Sequence, residues 1–357
     1  MKKQKSIRLS KIFRVKNHIL SPRNPNKIWL DKNETNHFQI NSIIKKSIKK
    51  IEFEDFYSYP NFKKLYAEIS KKEKLKINNI LLTNGADAAI KLIFETFIEE
   101  NDEVMITSPS FAMYSVYANL YNTKIFKLCF NNINNRFVLD LDKLKKKIVK
   151  GKIKALFLPN PDSPSGHYLE NDEILRLIKL CKQKGVYLVI DEAYYPFSKE
   201  TSIKLISKYN KLIIIRSGSK SLGLAGLRVG FVASNNKNIN LLSKFRPIYE
   251  ISNLSSKIYC YFYKNINEIK KIIKNLLILK KELESFLMKL KFEVIDTSGN
   301  FVLVNFGKKR KFLEKKLTTI AYVKSNISID NEKYTRITLT EKNKLEKIKK
   351  VIKNGAR

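Results

Sequence analysis

The chain has 357 residues, 43% of them hydrophobic, with 21 Phe and 17 Tyr, enough for one large or two ordinary globular domains. Lys and Arg number 70 against 33 Asp and Glu, a formal net charge of +37 that by itself would suggest a nucleic acid or an anionic surface as partner. The excess is nearly all lysine, accompanies high Ile and Asn, and is spread along the chain, with its densest patch at Lys143 to Lys154. A/T-rich codons shared by these three residues explain it, so solvated lysine is expected and no nucleic-acid partner. Cys129, Cys181 and Cys260 lie far apart, with no CxxC and no histidine at ligand spacing. That argues against a disulfide framework or a metal site and fits a reducing, cytoplasmic setting. No apolar run approaches 18 residues, so neither a spanning helix nor a membrane partner is expected.

Residues 1–27 read as a basic arm ending in the Pro/Asn-rich link Ser21 to Asn26, and Ile28 to Leu30 as a short strand. Ile40, Ile43, Ile44, Ile48 and Ile51 repeat at helical period. An aromatic-rich loop follows from Phe53 to Pro60, then a helix from about Asn61 to Lys72. From residue 80 the pattern becomes strand, turn, helix. Strands are expected at 80–83, 103–106, 124–128, 154–158, 186–190, 212–215 and 227–233. Helices are expected after Asp87 and at 111–119, 141–149 and 172–184. This alternation, with near-continuous apolar strands, predicts an α/β fold with a mainly parallel sheet covered on both faces. After about residue 250 the alternation stops. A long helix is expected from Glu268 to Leu290, then strands at 292–295 and 300–304, a helix near 311–317, a strand at 335–339 and a terminal helix. The reading is an N-terminal arm (1–40), a large domain (41–250) and a small α+β domain (251–357) that the arm completes.

Ligands of such sheets sit at the carboxyl ends of the strands. Four segments fall just after strands: Asn84-Gly85-Ala86-Asp87, Pro161-Asp162-Ser163-Pro164, Asp191-Glu192 and Ser217-Gly218-Ser219-Lys220. Taken alone, the last reads as an ordinary solvated turn. It is not a nucleotide P-loop, because Gly223 is followed by Leu-Ala. It can, however, bring an amine, hydroxyls and the guanidinium of Arg228 to one point. Lysine forms Schiff bases with carbonyls, and arginine with serine can hold a phosphate.

Taken in order, these segments resemble the fold-type-I PLP-dependent aminotransferases, most of all the histidinol-phosphate aminotransferase family. The resemblance covers nearly the whole chain. It rests on Leu30-x-x-Asn33-Glu34, Tyr59-Pro60, Asn84-Gly85-Ala86-Asp87, Ser108-Pro109-Ser110-Phe111, Pro161-x-x-Pro164-Ser165-Gly166, Asp191-Glu192-Ala193-Tyr194, Ser219-Lys220, Gly226-Leu227-Arg228 and Arg336-Ile337-Thr338. It implies a three-layer αβα large domain and pyridoxal 5'-phosphate as cofactor. Lys220 would carry the cofactor covalently and then move the proton. Asp191 would pair with the pyridine nitrogen, and Tyr194 would donate to the phenolic oxygen. Gly85, Ala86 and Asp87 open a helix whose free N–H groups suit the phosphate, completed by Ser217, Ser219 and Arg228. Phe111 would face the ring, with core packing as its other reading. Tyr59 matches a tyrosine that reaches the neighbouring subunit's phosphate, which implies a homodimer with shared sites. Arg336 would grip the substrate's acidic group, with Asn33 and Lys324 also on the substrate side.

Two departures stand out. Ser163, preceded by Asp162, replaces the second Asn of the family's Pro-Asn-Asn-Pro-Thr-Gly. Lys324 stands where histidinol-phosphate enzymes carry a second arginine, and lysine lacks the guanidinium fork. The expected activity is amino transfer between an amino acid or phosphorylated amine, histidinol-phosphate-like or aromatic, and a 2-oxo acid such as 2-oxoglutarate. Decarboxylation of a phosphorylated amino acid is the alternative.

Overall fold

A computed structural model describes residues 22–198 and 200–356. The first 21 residues of the basic arm lie outside them. Thirteen strands are found among the described residues. Those of the first part are β1 (Ile28–Leu30), β2 (Ile80–Thr83), β3 (Glu103–Ser108), β4 (Lys124–Ile133), β5 (Arg136–Leu139), β6 (Ile153–Pro159), β7 (Tyr187–Asp191), β8 (Leu212–Ser217) and β9 (Gly230–Ser234). The last four are β10 (Glu293–Ile295), β11 (Phe301–Asn305), β12 (Ala321–Ile329) and β13 (Glu332–Thr338).

Eight strands form one sheet in the order β2-β9-β8-β7-β6-β3-β4-β5. Its centre, from β8 through β7, β6 and β3 to β4, is parallel, and the pairs at the two edges are antiparallel. Side chains alternate between its faces. Leu156, Leu158, Leu188, Ile190, Leu212 and Ile214 enter one buried cluster. Ala155, Phe157, Val189, Ile213 and Ile215 enter another, together with the helix Gly85–Phe97. Burial on both faces is why these strands read as unbroken apolar runs.

The other strands form a second sheet, β1-β12-β13-β11-β10. The long helix Ile266–Lys289 lays Ile269, Ile272, Ile273, Leu276 and Leu283 into the core. β1 pairs in parallel with β12, nearly 300 residues away, so residues 28–30 lie in the same sheet as residues 321–323.

Several expectations are corrected. The 124–128 strand continues to Ile133 and turns at Asn134 and Asn135, both at positive φ, into β5. Strand β12 was not expected. Its Tyr-Val-Lys-Ser-Asn-Ile has a mixed pattern, and a register shift interrupts its pairing between Lys324 and Ile327. The strand expected from Leu227 starts only at Gly230, because Ala225–Leu227 is a 3-10 turn and Arg228 is left-handed. The aromatic loop contains a short helix, Glu54–Tyr57, and helices Asn236–Ser243 and Asn253–Lys264 were unforeseen.

Candidate active site

The carboxyl ends of β3, β6, β7 and β8 open on a cavity of about 610 Å³. Ala86, Asp87, Phe111, Ser163, Asp191, Tyr194, Ser217, Ser219, Lys220, Arg228, Lys324 and Arg336 all line it. Residues read from sequence as separate strand ends are therefore brought to one place by the parallel sheet.

Asp191 ends β7 and is buried. Its Oδ2 accepts from the Tyr114 hydroxyl at 2.7 Å, and its Oδ1 from the Ala193 N–H at 2.9 Å. Burial pushes the carboxyl up to about 6, against these two hydrogen bonds. Lys220 is half-buried in the loop after β8, and its Nζ donates to the Lys32 carbonyl at 2.7 Å. The amine thus faces the same space as the Asp191 carboxylate.

An anion seat lies beside them. Gly85 opens its helix at φ +76°. A side chain there would put its Cβ 2.8 Å from Arg228 Nη2, so the missing Cβ makes room for the guanidinium. Arg228 Nη1 donates to Ser219 Oγ at 3.2 Å, and the Ser219 N–H donates to Ser217 Oγ at 3.2 Å. Asp87 Oδ1 accepts from the Tyr117 hydroxyl at 3.0 Å.

The second sheet supplies the opposite wall. Arg336 on β13 is the register partner of Lys324 on β12, so both side chains emerge on one face. Arg336 Nη1 donates to Ser163 Oγ at 2.9 Å, and Nη2 to the Asp31 carbonyl at 2.6 Å. Asn33, left-handed at φ 55°, sits behind the wall rather than on it. Its Nδ2 donates to the Tyr194 hydroxyl at 2.8 Å and lies 3.4 Å from Ser163 Oγ. Phe111 lines the cavity but stays partly exposed, edge-on to Tyr114 at 6.0 Å. Tyr59 does not line the cavity. It is exposed and stacks on Tyr249 at 4.3 Å.

A cavity with a lysine amine, a buried carboxylate at the end of the neighbouring strand, and an arginine–serine seat at a helix N-terminus fits pyridoxal phosphate. The model of the aminotransferase class I and II family matches residues 25–352. The chain belongs to that family. Histidinol-phosphate aminotransferase of Buchnera aphidicola subsp. Cinara cedri is 34% identical over 293 residues, which is 78% of this chain and 81% of that protein. Among solved structures, the histidinol-phosphate aminotransferase of Sinorhizobium meliloti, in complex with pyridoxal-5'-phosphate, superposes with a TM-score of 0.80 at 16% identity, covering 98% of this chain and 99% of that one. L-threonine-O-3-phosphate decarboxylase of Porphyromonas gingivalis reaches a TM-score of 0.71 at 20% identity, covering 91% and 98%. The structural likenesses carry the fold, which is that of the type-I PLP-dependent enzymes. Family membership carries the chemistry: the chain is a PLP-dependent aminotransferase acting on small molecules.

Three features of this aminotransferase site were not read from its sequence. Tyr114 carries no role in the sequence reading, yet it holds Asp191. Asp162 was noted only as the neighbour of Ser163, yet it is fully buried between two loops. Lys32 contributes a carbonyl, for which a sequence offers no signal. Tyr114 lies three residues beyond Phe111, and that helical spacing was the available clue.

Proposed function

We propose that the donor is a phosphorylated amine of the histidinol-phosphate type or an aromatic amino acid, and that the acceptor is a 2-oxo acid such as 2-oxoglutarate. The observation that carries this reading is the Lys324–Arg336 pair on adjacent strands, facing the cavity opposite Lys220. Two cations side by side suit a phosphate or carboxylate far better than a neutral group. The similarity to a histidinol-phosphate aminotransferase supports the same choice.

Bound PLP supplies an electron sink for the carbanion formed when the substrate Cα loses its proton. In this reading Lys220 Nζ would anchor the cofactor and hold the proton moved from and to Cα. Asp191, held by Tyr114, would pair with the ring nitrogen. Tyr194, bonded to Asn33, would donate to the phenolic oxygen, with Ser163 nearby. Gly85, Ala86, Asp87, Ser217, Ser219 and Arg228 would hold the phosphate. Phe111, on the cavity wall, would pack against the ring. Arg336 would orient the substrate's acidic group.

The protein acts as a homodimer in this proposal. Tyr59 and Tyr249 form an exposed stack, and Phe53, Phe56, Tyr57 and Ile248 are exposed as well, an apolar surface that a second copy would cover. Tyr59 would then serve the partner's site. No described helix is long and apolar enough to cross a membrane, and we place the enzyme in the cytoplasm. We also propose the division into an arm (1–40), a large domain (41–250) and a small domain (251–357), which the place of β1 in the second sheet supports.

Borohydride reduction with peptide mapping tests the site: the adduct is expected on Lys220, and an adduct elsewhere overturns the assignment. A donor screen with 2-oxoglutarate tests the substrate. Preference for a neutral, non-aromatic amino acid would overturn the donor class. CO2 release from a phosphorylated amino acid without any oxo acid would overturn amino transfer from that donor.

A further inference from the structure

Asp162 lies in the turn after β6 with no exposed surface. Its Oδ2 accepts from Thr107 Oγ1 at 2.9 Å and from Ser110 Oγ at 2.8 Å. Its Oδ1 accepts from Ser165 Oγ at 2.7 Å and from the Ser165 N–H at 3.3 Å. One carboxylate therefore joins three places: the end of β3, the loop that follows it, and its own turn. Ser110 and Phe111 line the cavity from one of these loops, and Ser163 lines it from the other. Ser163 is also where Arg336 is anchored.

The partners are hydroxyls and one backbone N–H, with no cation among the described residues in an ion pair with it. Burial raises the carboxyl to about 6, so at neutral pH it is mostly ionised. Burying a carboxylate without a counter-ion is costly. Asparagine would have the same shape but only one accepting oxygen, and could not receive donors at both ends. The turn therefore needs two accepting oxygens, which a carboxylate supplies and an amide of the same shape does not.

We propose that Asp162 is a positioning residue of the cofactor cleft: its carboxylate locks the Ser110–Phe111 loop against the Ser163 turn, and so sets the wall presented to the cofactor ring and to Arg336. The inference rests on the reading of Lys220 as the cofactor anchor.

The test uses the full-length holoenzyme with Asp162→Asn, Asp162→Ala and Ser110→Ala. The readouts are the cofactor dissociation constant, the circular dichroism of the bound cofactor, kcat and KM for the donor taken separately, and the melting temperature. Ser110→Ala and Asp162→Asn are expected to weaken cofactor binding by roughly three- to tenfold and to reduce the cofactor's dichroism, with Asp162→Ala worse and Asn recovering part of the loss. Donor KM is expected to rise more than kcat falls, because Arg336 loses a fixed partner. If Asp162→Ala fails to fold, the two milder variants carry the test. Wild-type cofactor dichroism and affinity in both of them would overturn the proposal, whatever happens to the melting temperature. Borohydride trapping in the wild type separates the two readings. An adduct at Lys220 with unaltered variants sinks only the role of Asp162, whereas no adduct at Lys220 removes the cofactor site and this inference with it.

Discussion

Tyr114 donates its hydroxyl to Asp191 Oδ2 at 2.7 Å, and both groups are buried. A hydrogen bond to the ionised carboxylate favours that form and lowers its pKa. Burial works in the opposite direction and leaves the Asp191 carboxyl at about 6. Tyr114→Phe removes the donor and keeps the ring. The acid limb of the pH profile of kcat/KM is then expected to move to higher pH by about one unit. An unchanged acid limb would show that Tyr114 only packs.

Asp162 and Asp191 both have carboxyls raised by burial to about 6. The folded protein therefore holds more protons than the unfolded chain between about pH 4 and 6. The sign follows from linkage: the two groups favour the fold at low pH, and this contribution is lost as pH rises through 6. In cofactor-free protein, Asp162→Asn should flatten the decline in denaturant midpoint between pH 4 and 7. A slope equal to the wild type's would contradict a raised Asp162.

Gly85→Ala tests the phosphate seat. The new Cβ would sit 2.8 Å from Arg228 Nη2, on a residue at φ +76°. Left-handed backbone costs an alanine about 1 kcal/mol, and the guanidinium must also move. Cofactor affinity is expected to fall at least tenfold, read by absorbance titration, with a smaller change in stability.

Ser163→Ala removes the acceptor of Arg336 Nη1 and leaves Asn33 bonded to Tyr194. Losing a hydrogen bond to a charged group is worth about 1.5–3 kcal/mol. KM for an acidic or phosphorylated donor should rise about tenfold, and that for a donor lacking such a group much less. Equal losses on both donors would argue that Ser163 serves the cofactor alone.

Arg216 tests stability away from the chemistry. It is buried, its Nε donates to Glu192 at 2.7 Å, Nη2 to Thr201 at 2.7 Å, and its guanidinium lies 3.9 Å over the Tyr195 ring. Glu73 pairs with it at 3.4 Å. Arg216→Met leaves the buried Glu192 and the half-buried Glu73 without their cation and is expected to cost about 3 kcal/mol in denaturant unfolding. Retention of full stability would show that water reaches these acids.

Much of the candidate site is legible in the sequence. A lysine after one apolar strand, an aspartate after another and a glycine-opened helix are local signals, because strand ends and helix starts are marked by short-range chemistry. Where the reading went astray, pairing had overridden the local pattern. β12 is broken by a register shift, and its neighbour β13, rather than its own periodicity, makes it a strand. The same pairing sets Lys324 beside Arg336, a proximity that 12 residues of separation would not suggest.

The sequence by itself determined the order of the elements and the mainly parallel sheet, because both follow from short-range patterning, and its resemblance to the family pointed to Lys220, Asp191, Arg228 and Arg336 as candidate site residues. Tertiary structure alone decided which groups hold them. Tyr114 on Asp191, the Lys32 carbonyl on Lys220, Asn33 on Tyr194 and the Thr107 and Ser110 hydroxyls on Asp162 are contacts between segments far apart in the chain. They form because burying polar groups obliges each to find a partner, and only the closed fold determines which partner is within reach.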